Sequence, residues 1–322
     1  VRADSVLAAD AGLELNPRGA IKVDLNYRTS DPDIYAVGDV IEVFNPLTRK
    51  ASVLPLAGPA QKQARAAADH IYGHAVRNTG YIGSSCIKVF DYNAASTGMT
   101  AARCEQEGLQ FDVAYVIPQD RVGIMPGSCP MHFKLIYEVP TGKVLGAQAI
   151  SKGDAAKRVD IVATLIKFGG TVDDLRDLEL CYAPPFSTAK DAGNHAALVA
   201  GNLMKKVFRQ VRVDEVRGLV ESGACIVDVR EEHEYANGHI KGALNVPLSQ
   251  LRKRMDEIPK DRPVYLHCRS AQRSYNALLA LQANGFTNVY NISGSFLGIC
   301  FYEYFNDKTQ DREPIVTAYN FN

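Results

Sequence analysis

Cys268-Arg269-Ser270-Ala271-Gln272-Arg273 follows the short apolar run Val264-Tyr265-Leu266 and precedes a helical pattern, which puts the cysteine on a strand-to-helix loop. In such a loop successive backbone N–H groups converge, and the helix behind adds the positive end of its dipole, so an anion at sulfur is favoured. Arg269 and Arg273 add positive charge around it. A thiolate so placed is nucleophilic at neutral pH. The ordinary alternative is a buried cysteine that only packs. Spacing separates two guests of the loop: a Cys-x5-Arg loop wraps three phosphoryl oxygens, whereas this arginine lies one residue closer. The tighter loop suits a smaller guest such as a sulfane sulfur and disfavours a phosphatase.

Working outward, strand runs at 225–229, 264–267 and 288–292 alternate with helical patterns at 214–222, 231–236 and 272–284, the order of a parallel sheet covered on both faces. Tyr275, Leu278, Leu279 and Leu281 form the core stripe of the last helix, and Gly285 stands where a C-cap belongs. Four stretches carry a resemblance: Asp228-Val229-Arg230-Glu231, Gly238-His239-Ile240-Lys241-Gly242-Ala243-Leu244-Asn245, the Cys268 loop, and Gly285-Phe286-Thr287-Asn288-Val289-Tyr290. In this order they resemble a single rhodanese domain. The resemblance implies that Cys268 attacks a sulfur donor, holds the atom as a persulfide under the loop amides of Arg269, Ser270, Ala271 and Gln272 with Arg273 beside it, and yields it to a nucleophilic acceptor. His239, Asp228, Arg230, Glu234 and His267 are read as structural polar groups around the sheet.

The 322 residues exceed one typical domain, and 46% hydrophobic with 22% charged residues describes a globular chain with ample core. Lys+Arg and Asp+Glu number 36 each, so no nucleic-acid partner is expected. Neither a bilayer-spanning run nor a signal peptide is visible, so no membrane partner is expected either. Seven irregularly spaced cysteines fit reduced thiols and a cytoplasmic location, and no zinc-type His/Cys cluster occurs. Apart from Cys268 they are read as packing residues.

Near the front, Ile34 to Val37 is predicted as a short buried strand ending in the turn Gly38-Asp39. Glycine there lets backbone approach a ligand, and the carboxylate can accept hydrogen bonds from sugar-like hydroxyls. The string from Thr29 to Val40 resembles the second flavin-binding motif of the pyridine nucleotide-disulfide oxidoreductases, which implies that Asp39 binds the ribityl chain of FAD. Leu54-Pro55-Leu56-Ala57-Gly58-Pro59-Ala60 leads into an Ala-rich helical run, Gln61 to Tyr72. In that family the helix aims its N-terminus at the flavin ring, where a positive helix end stabilises charge on the reduced flavin. Pro55, Leu56 and Ala57 inherit that place by resemblance.

Strands at 86–90, 111–117, 131–139 and 144–151, then a helix at 154–168, have the shape of the family's dimerisation domain, which implies a homodimer. Tyr182-Ala183-Pro184-Pro185-Phe186-Ser187 resembles the segment that crosses the dimer interface toward the partner's flavin, and its prolines fix an extended loop at low entropic cost. Phe186 is assigned to the cofactor on that basis. In coenzyme A-disulfide reductases the tyrosine at Tyr182 helps position the substrate disulfide. A second tyrosine usual before a Pro-Gly has no match here, because Ile124-Met125 precede Pro126-Gly127, which weakens a coenzyme A disulfide and leaves persulfides or polysulfides open.

The family also uses a glycine-rich FAD motif, a second one for NAD(P)H and a redox cysteine, none of which precedes these segments; the chain reads as the C-terminal half of a larger enzyme, with its N-terminal half as partner. The expected divisions are 1–78, the C-terminal part of an FAD-binding Rossmann-like domain; 79–204, an α+β dimerisation domain; 205–305, a rhodanese-like doubly wound parallel-sheet domain; and a tail, 306–322. Lys205 to Arg212 is the join. The expected activity is FAD- and NAD(P)H-dependent reduction of disulfide, persulfide or polysulfide substrates, with coenzyme A-type thiols as carriers, coupled to sulfur transfer through Cys268. A passive sulfur carrier on a dimerisation domain, or an NADH oxidase or peroxidase on the same scaffold, are the competing readings.

Overall fold

The computed structural model describes residues 2–321 as three units along the chain. In the first, helix α1 (Val6–Asp10), an antiparallel hairpin of β1 (Glu42–Asn45) and β2 (Lys50–Val53), and helix α2 (Ala57–Ile71) enclose a small core of Ala8, Ile21, Tyr27, Ile41, Val43 and Ala67. The strand predicted at Ile34–Val37 does not form. Residues 31–34 turn back through the Ile34 N–H to Asp31 C=O bond, and only Tyr35 makes an isolated bridge, to Arg28. A strand needs neighbours for its N–H and C=O groups, and here only the Tyr27–Thr29 stretch lies alongside.

The second unit is an antiparallel sheet in the order β3-β4-β7-β6-β5, built from β3 (Ser84–Val89), β4 (Tyr92–Gly98), β5 (Phe111–Val116), β6 (Met131–Glu138) and β7 (Val144–Ser151). Helix α3 (Ala101–Gln106) lies between β4 and β5, and α4 (Ala155–Phe168), α5 (Val172–Asp177) and α6 (Ala192–Met204) follow β7. On β6 the period of two puts Met131, Phe133, Leu135 and Tyr137 on the face that α4 and α6 cover, while Ile136 points to the smaller core with Met99 and Cys104. Each large side chain so buried contributes about 1.5–3 kcal/mol.

The third unit is an all-parallel sheet, β10-β9-β11-β12-β8, from β8 (Gln210–Val211), β9 (Cys225–Asp228), β10 (Leu244–Asn245), β11 (Val264–His267) and β12 (Val289–Ile292). Helices α7 (Val216–Glu221), α8 (Glu232–Ala236), α9 (Gln272–Ala283) and α10 (Ser295–Gln310) complete it. Alternation along the strands divides two cores. Val227, Val264, Leu266 and Val289 meet Ala277, Leu278 and Leu281 of α9 on one face, whereas Ile226 and Ile292 meet Val216, Phe296 and Ile299 on the other. Such double burial explains why β9 and β11 read as short apolar runs.

The division expected between 305 and 306 falls inside α10. Beyond that helix Ile315 and Val316 are buried in the second core, Val316 bridges to Ile240, and Tyr319 donates a hydrogen bond to Asp307. Arg217 and Arg312 both pair with the buried carboxylates of Glu303 and Asp307, tying α7 and the final segment to α10. Among the described residues no helix is long and apolar enough to cross a membrane.

Candidate active site

Cys268 is the first residue beyond β11, at the carboxyl edge of the parallel sheet, where open α/β folds gather their ligands. Its residue is 1% exposed, so the sulfur lies at the floor of the loop instead of its tip. The loop closes through Ala271, whose φ of 74° turns the chain into α9. Ser274, one turn into that helix, donates its hydroxyl to Cys268 Sγ at 3.7 Å. The amides of Ser270 to Ser274 have no acceptor among the described residues, as the geometry of a helix start dictates, and so remain available to an anion. Ser270 is half-buried and Gln272 exposed.

The floor is fixed from behind. The Cys268 amide donates to Ser295 Oγ at 3.2 Å, while the Phe296 and Leu297 amides donate to the carbonyls of Cys268 and Arg269, both at 3.0 Å. Ser295 itself adopts a φ of 49°, beside Gly294 at 74°. Two successive left-handed residues are what present the first amides of α10 to the loop. Sequence reading did not find this clamp; the Gly294-Ser295 pair lies 27 residues after the cysteine and has no local signature.

Arg273 is held by Glu234 of α8 in a two-pronged pair, 2.6 and 2.7 Å. The two hydrogen bonds that Arg273 donates to Glu234, and then the Cys268 sulfur, push its guanidinium above its ordinary pKa, while the same pair holds the Glu234 carboxyl below the usual range. Glu234, expected to be structural, thus directly orients the loop's second arginine. Arg269 faces His132 of β6: burial first, and then the Arg269 charge, bring that imidazole down to about 4. Behind the sheet edge Arg230 grips Asp228 through Nε and Nη2 and lies 4.0 Å over the Phe296 ring. Burial lowers the His267 pKa, and its Nδ1 lies 3.2 Å from the Cys268 carbonyl. His239 stacks on Tyr235 at 3.8 Å.

The residues assigned to a flavin gather separately. Gly38, at φ 92° with open space where a Cβ would stand, donates its amide to Gln63 Oε1 at 2.7 Å, and Asp39 beside it is exposed. Gln63 is fully buried on α2, yet its Nε2 finds no partner among the described residues. Pro55 and Leu56 lead into α2, whose Leu56 cap offers no side-chain acceptor, so the amides of Ala57 and Gly58 at this 15-residue helix end have no acceptor among the described residues. A glycine cradle, an exposed carboxylate and an uncapped helix start suit a ribityl chain and an electron-rich ring. The helix begins at Ala57, four residues before the run expected from Gln61, because Pro59 occupies a first-turn position where its missing N–H costs nothing.

Tyr182 and Phe186 are exposed, at 48% and 70%, on a loop anchored by Arg158. That guanidinium, 3% exposed, bonds Asp191 Oδ2 at 3.0 Å and the carbonyls of Asp154, Asp120 and Phe186. Among the described residues no hydrogen bond or ring contact joins Tyr182, or the Gly38–Asp39 group, to the Cys268 loop.

Residues 1–64 match the family described as pyridine nucleotide-disulphide oxidoreductase, 84–192 its dimerisation domain, and 212–300 the rhodanese-like domain. The coenzyme A disulfide reductase of Staphylococcus epidermidis is 35% identical over 181 residues, 56% of this chain and 41% of that protein. Two solved structures each match 92% of this chain and 53% of their own: reduced Bacillus anthracis CoADR-RHD, at 40% identity and a TM-score of 0.86, and a NAD-dependent persulfide reductase from A. fulgidus, at 35% and 0.85. The chain therefore spans about half the length of the relatives it matches.

Proposed function

The chain belongs to the pyridine nucleotide-disulphide oxidoreductase family and carries a rhodanese-like domain after the dimerisation domain, and from that premise we propose that it takes part in NAD(P)H-dependent reduction of persulfide, polysulfide or disulfide substrates coupled to sulfane-sulfur transfer at Cys268. The observation that carries the reading is the Cys268 floor: a sulfur met by the Ser274 hydroxyl, beneath a helix start with unspent amides and beside the Arg273–Glu234 pair.

In the transfer step the Cys268 thiolate attacks the outer sulfur of a donor such as thiosulfate. A new S–S bond forms to Cys268, the donor's S–S bond breaks, and sulfite leaves with its electron pair. An acceptor thiolate then attacks the terminal sulfur, takes it as its own persulfide and returns Cys268 as thiolate. Both steps conserve charge and need no outside oxidant. The loop amides and the end of α9 hold negative charge on the terminal sulfur between the steps.

The family uses FAD and NAD(P)H. Gly38 and Asp39 would hold the ribityl chain, Pro55, Leu56 and Ala57 would bring the α2 amides to the ring, and Phe186 with Tyr182 would approach from the second subunit. A flavin held there would supply the passage of electrons from the nicotinamide to a sulfur–sulfur bond. A homodimer is supported by the dimerisation domain and by β3, exposed along its length, with Ile87, Val89, Phe90, Tyr92 and Ile150 open to solvent. Seven free cysteines support a cytoplasmic setting. Ile124, 88% exposed, stands near Pro126-Gly127 where a substrate-positioning tyrosine would favour coenzyme A disulfide, so coenzyme A is assigned as carrier thiol and not as the preferred disulfide.

The test is sulfur transfer from thiosulfate to a small thiol by the intact chain. Cys268→Ser should abolish it, with trapping of the persulfide and peptide mass spectrometry placing the extra sulfur on Cys268 in the parent protein. Undiminished transfer by the serine variant would reject the assignment.

A further inference from the structure

One contact between the antiparallel and parallel units bears directly on the cysteine loop. The Tyr115 ring, on β5, lies against the first turn of α10 so closely that a Cβ on Gly294 would meet its Cε1 at 2.4 Å, and one on Gly298 would meet the same atom at 3.1 Å. His132, on the neighbouring strand β6, lies edge to face with Phe301 at 4.6 Å. Gly294, Gly298 and Phe301 are spaced i, i+4 and i+7, one face of α10. The two antiparallel-sheet residues are joined to each other, Tyr115 Oη to His132 Nδ1, at 2.6 Å. Burial keeps the imidazole neutral, so in its Nε2–H tautomer Nδ1 accepts a hydrogen bond from the Tyr115 hydroxyl. A second tie, Gln210 Nε2 to the Val113 carbonyl at 2.8 Å, joins the same strand β5 to the edge of the parallel sheet.

The face gripped in this way belongs to the turn whose Ser295, Phe296 and Leu297 hold the backbone of Cys268 and Arg269. We propose that Tyr115 and His132 form a positioning device in the dimerisation unit: the ring seated on the Gly294/Gly298 slot fixes the start of α10, and through three hydrogen bonds sets the floor on which Cys268 reacts. The inference rests on the sulfur-transfer reading of Cys268 and adds to it a dependence on residues some 150 positions upstream, in another domain. Neither residue touches the sulfur, so both act through α10. Left-handed residues at 294 and 295 would relax readily once the ring is gone, because Ser295 is strained there.

The experiment measures thiosulfate-to-thiol transfer by the intact chain, expressed per folded molecule from a thermal melt of each variant. Tyr115→Ala should lower kcat about 10-fold with KM for thiosulfate within about 2-fold, as loss of alignment and not of binding requires. Tyr115→Phe keeps the ring in its slot and should stay within about 3-fold of the parent. Gly298→Ala crowds the ring without removing any contact and should also lower kcat several-fold, which guards against a Tyr115→Ala protein that fails to fold. Wild-type kcat per folded molecule in both Tyr115→Ala and Gly298→Ala, with Cys268→Ser inactive, overturns the positioning role alone. Transfer that survives Cys268→Ser overturns the reading beneath it as well.

Discussion

Replacing Arg158 by methionine should destabilise the antiparallel unit more than any single surface change. Removal of the guanidinium strands the Asp191 carboxylate, 5% exposed, whose Oδ1 has no partner among the described residues and whose Oδ2 would lose its ion pair with Arg158. Breaking a buried pair on one side costs about 3–5 kcal/mol. The carbonyls of Asp120, Asp154 and Phe186 lose a donor too, but they share that donor, so their costs do not simply add. Methionine keeps much of the aliphatic stem. We therefore expect about 4 kcal/mol, roughly 10³-fold in the opening equilibrium. A chain of several units does not unfold in one step, so the readout is hydrogen exchange of β6 and β7 peptides, with the 182–187 loop as a second reporter. Arg158→Met with Asp191→Leu removes the stranded charge and should be less destabilised than Arg158→Met alone, despite loss of the α6 cap residue. A cost below about 1 kcal/mol for the single variant, or a double variant as unstable as the sum of the two singles, would refute the buried-charge argument.

The Glu234 carboxyl has a folded pKa below the unfolded 4.5, so its contribution is fully present above that value and is lost as pH falls through the depressed folded value. The urea midpoint of Glu234→Gln should accordingly lie below that of the parent at pH 7 and converge with it in acid; a gap that stays constant down to pH 3 contradicts the pairing with Arg273. Ile315→Ala should lower stability of the parallel unit by about 2–5 kcal/mol, seen as a lower melting temperature, because Ile315 fills the core beside Val216 and Ile240. An unchanged melt would mean that residues beyond α10 only rest on the surface.

The cysteine loop was readable because the pattern changes there, from the short apolar run Val264-Tyr265-Leu266 to the apolar stripe of α9, and only a tight turn fits between them. The parallel sheet was readable for a related reason: β9 and β11 are covered on both faces and open on short apolar runs, while β12 keeps three apolar residues around a buried Asn291. Other elements left no local trace. The strand β4, Tyr-Asn-Ala-Ala-Ser-Thr-Gly, is polar and small, and exists because β3 and β7 pair with it from either side. Helix α10 is buried all round over Ser295–Cys300, so it shows no stripe, and the clamp it places on Cys268 is long-range by nature. The failed strand at Ile34–Val37 has the composition of a strand but lacks pairing edges. In the loop itself the residue types were legible, while the pairing of Arg273 with Glu234 depended on how α8 and α9 come together.

The closing segment gives the parallel unit an order of assembly. Val316 bridges Ile240, Ile315 completes the second core, and Arg312 and Tyr319 satisfy carboxylates sealed inside α10. A nascent polypeptide that has released α10 but not yet residues 312–319 therefore has the cysteine loop in hand, with the second core still lacking Ile315 and Val316 and the two acidic groups paired with Arg217 alone. The second core is complete only once that last stretch has emerged and folded back.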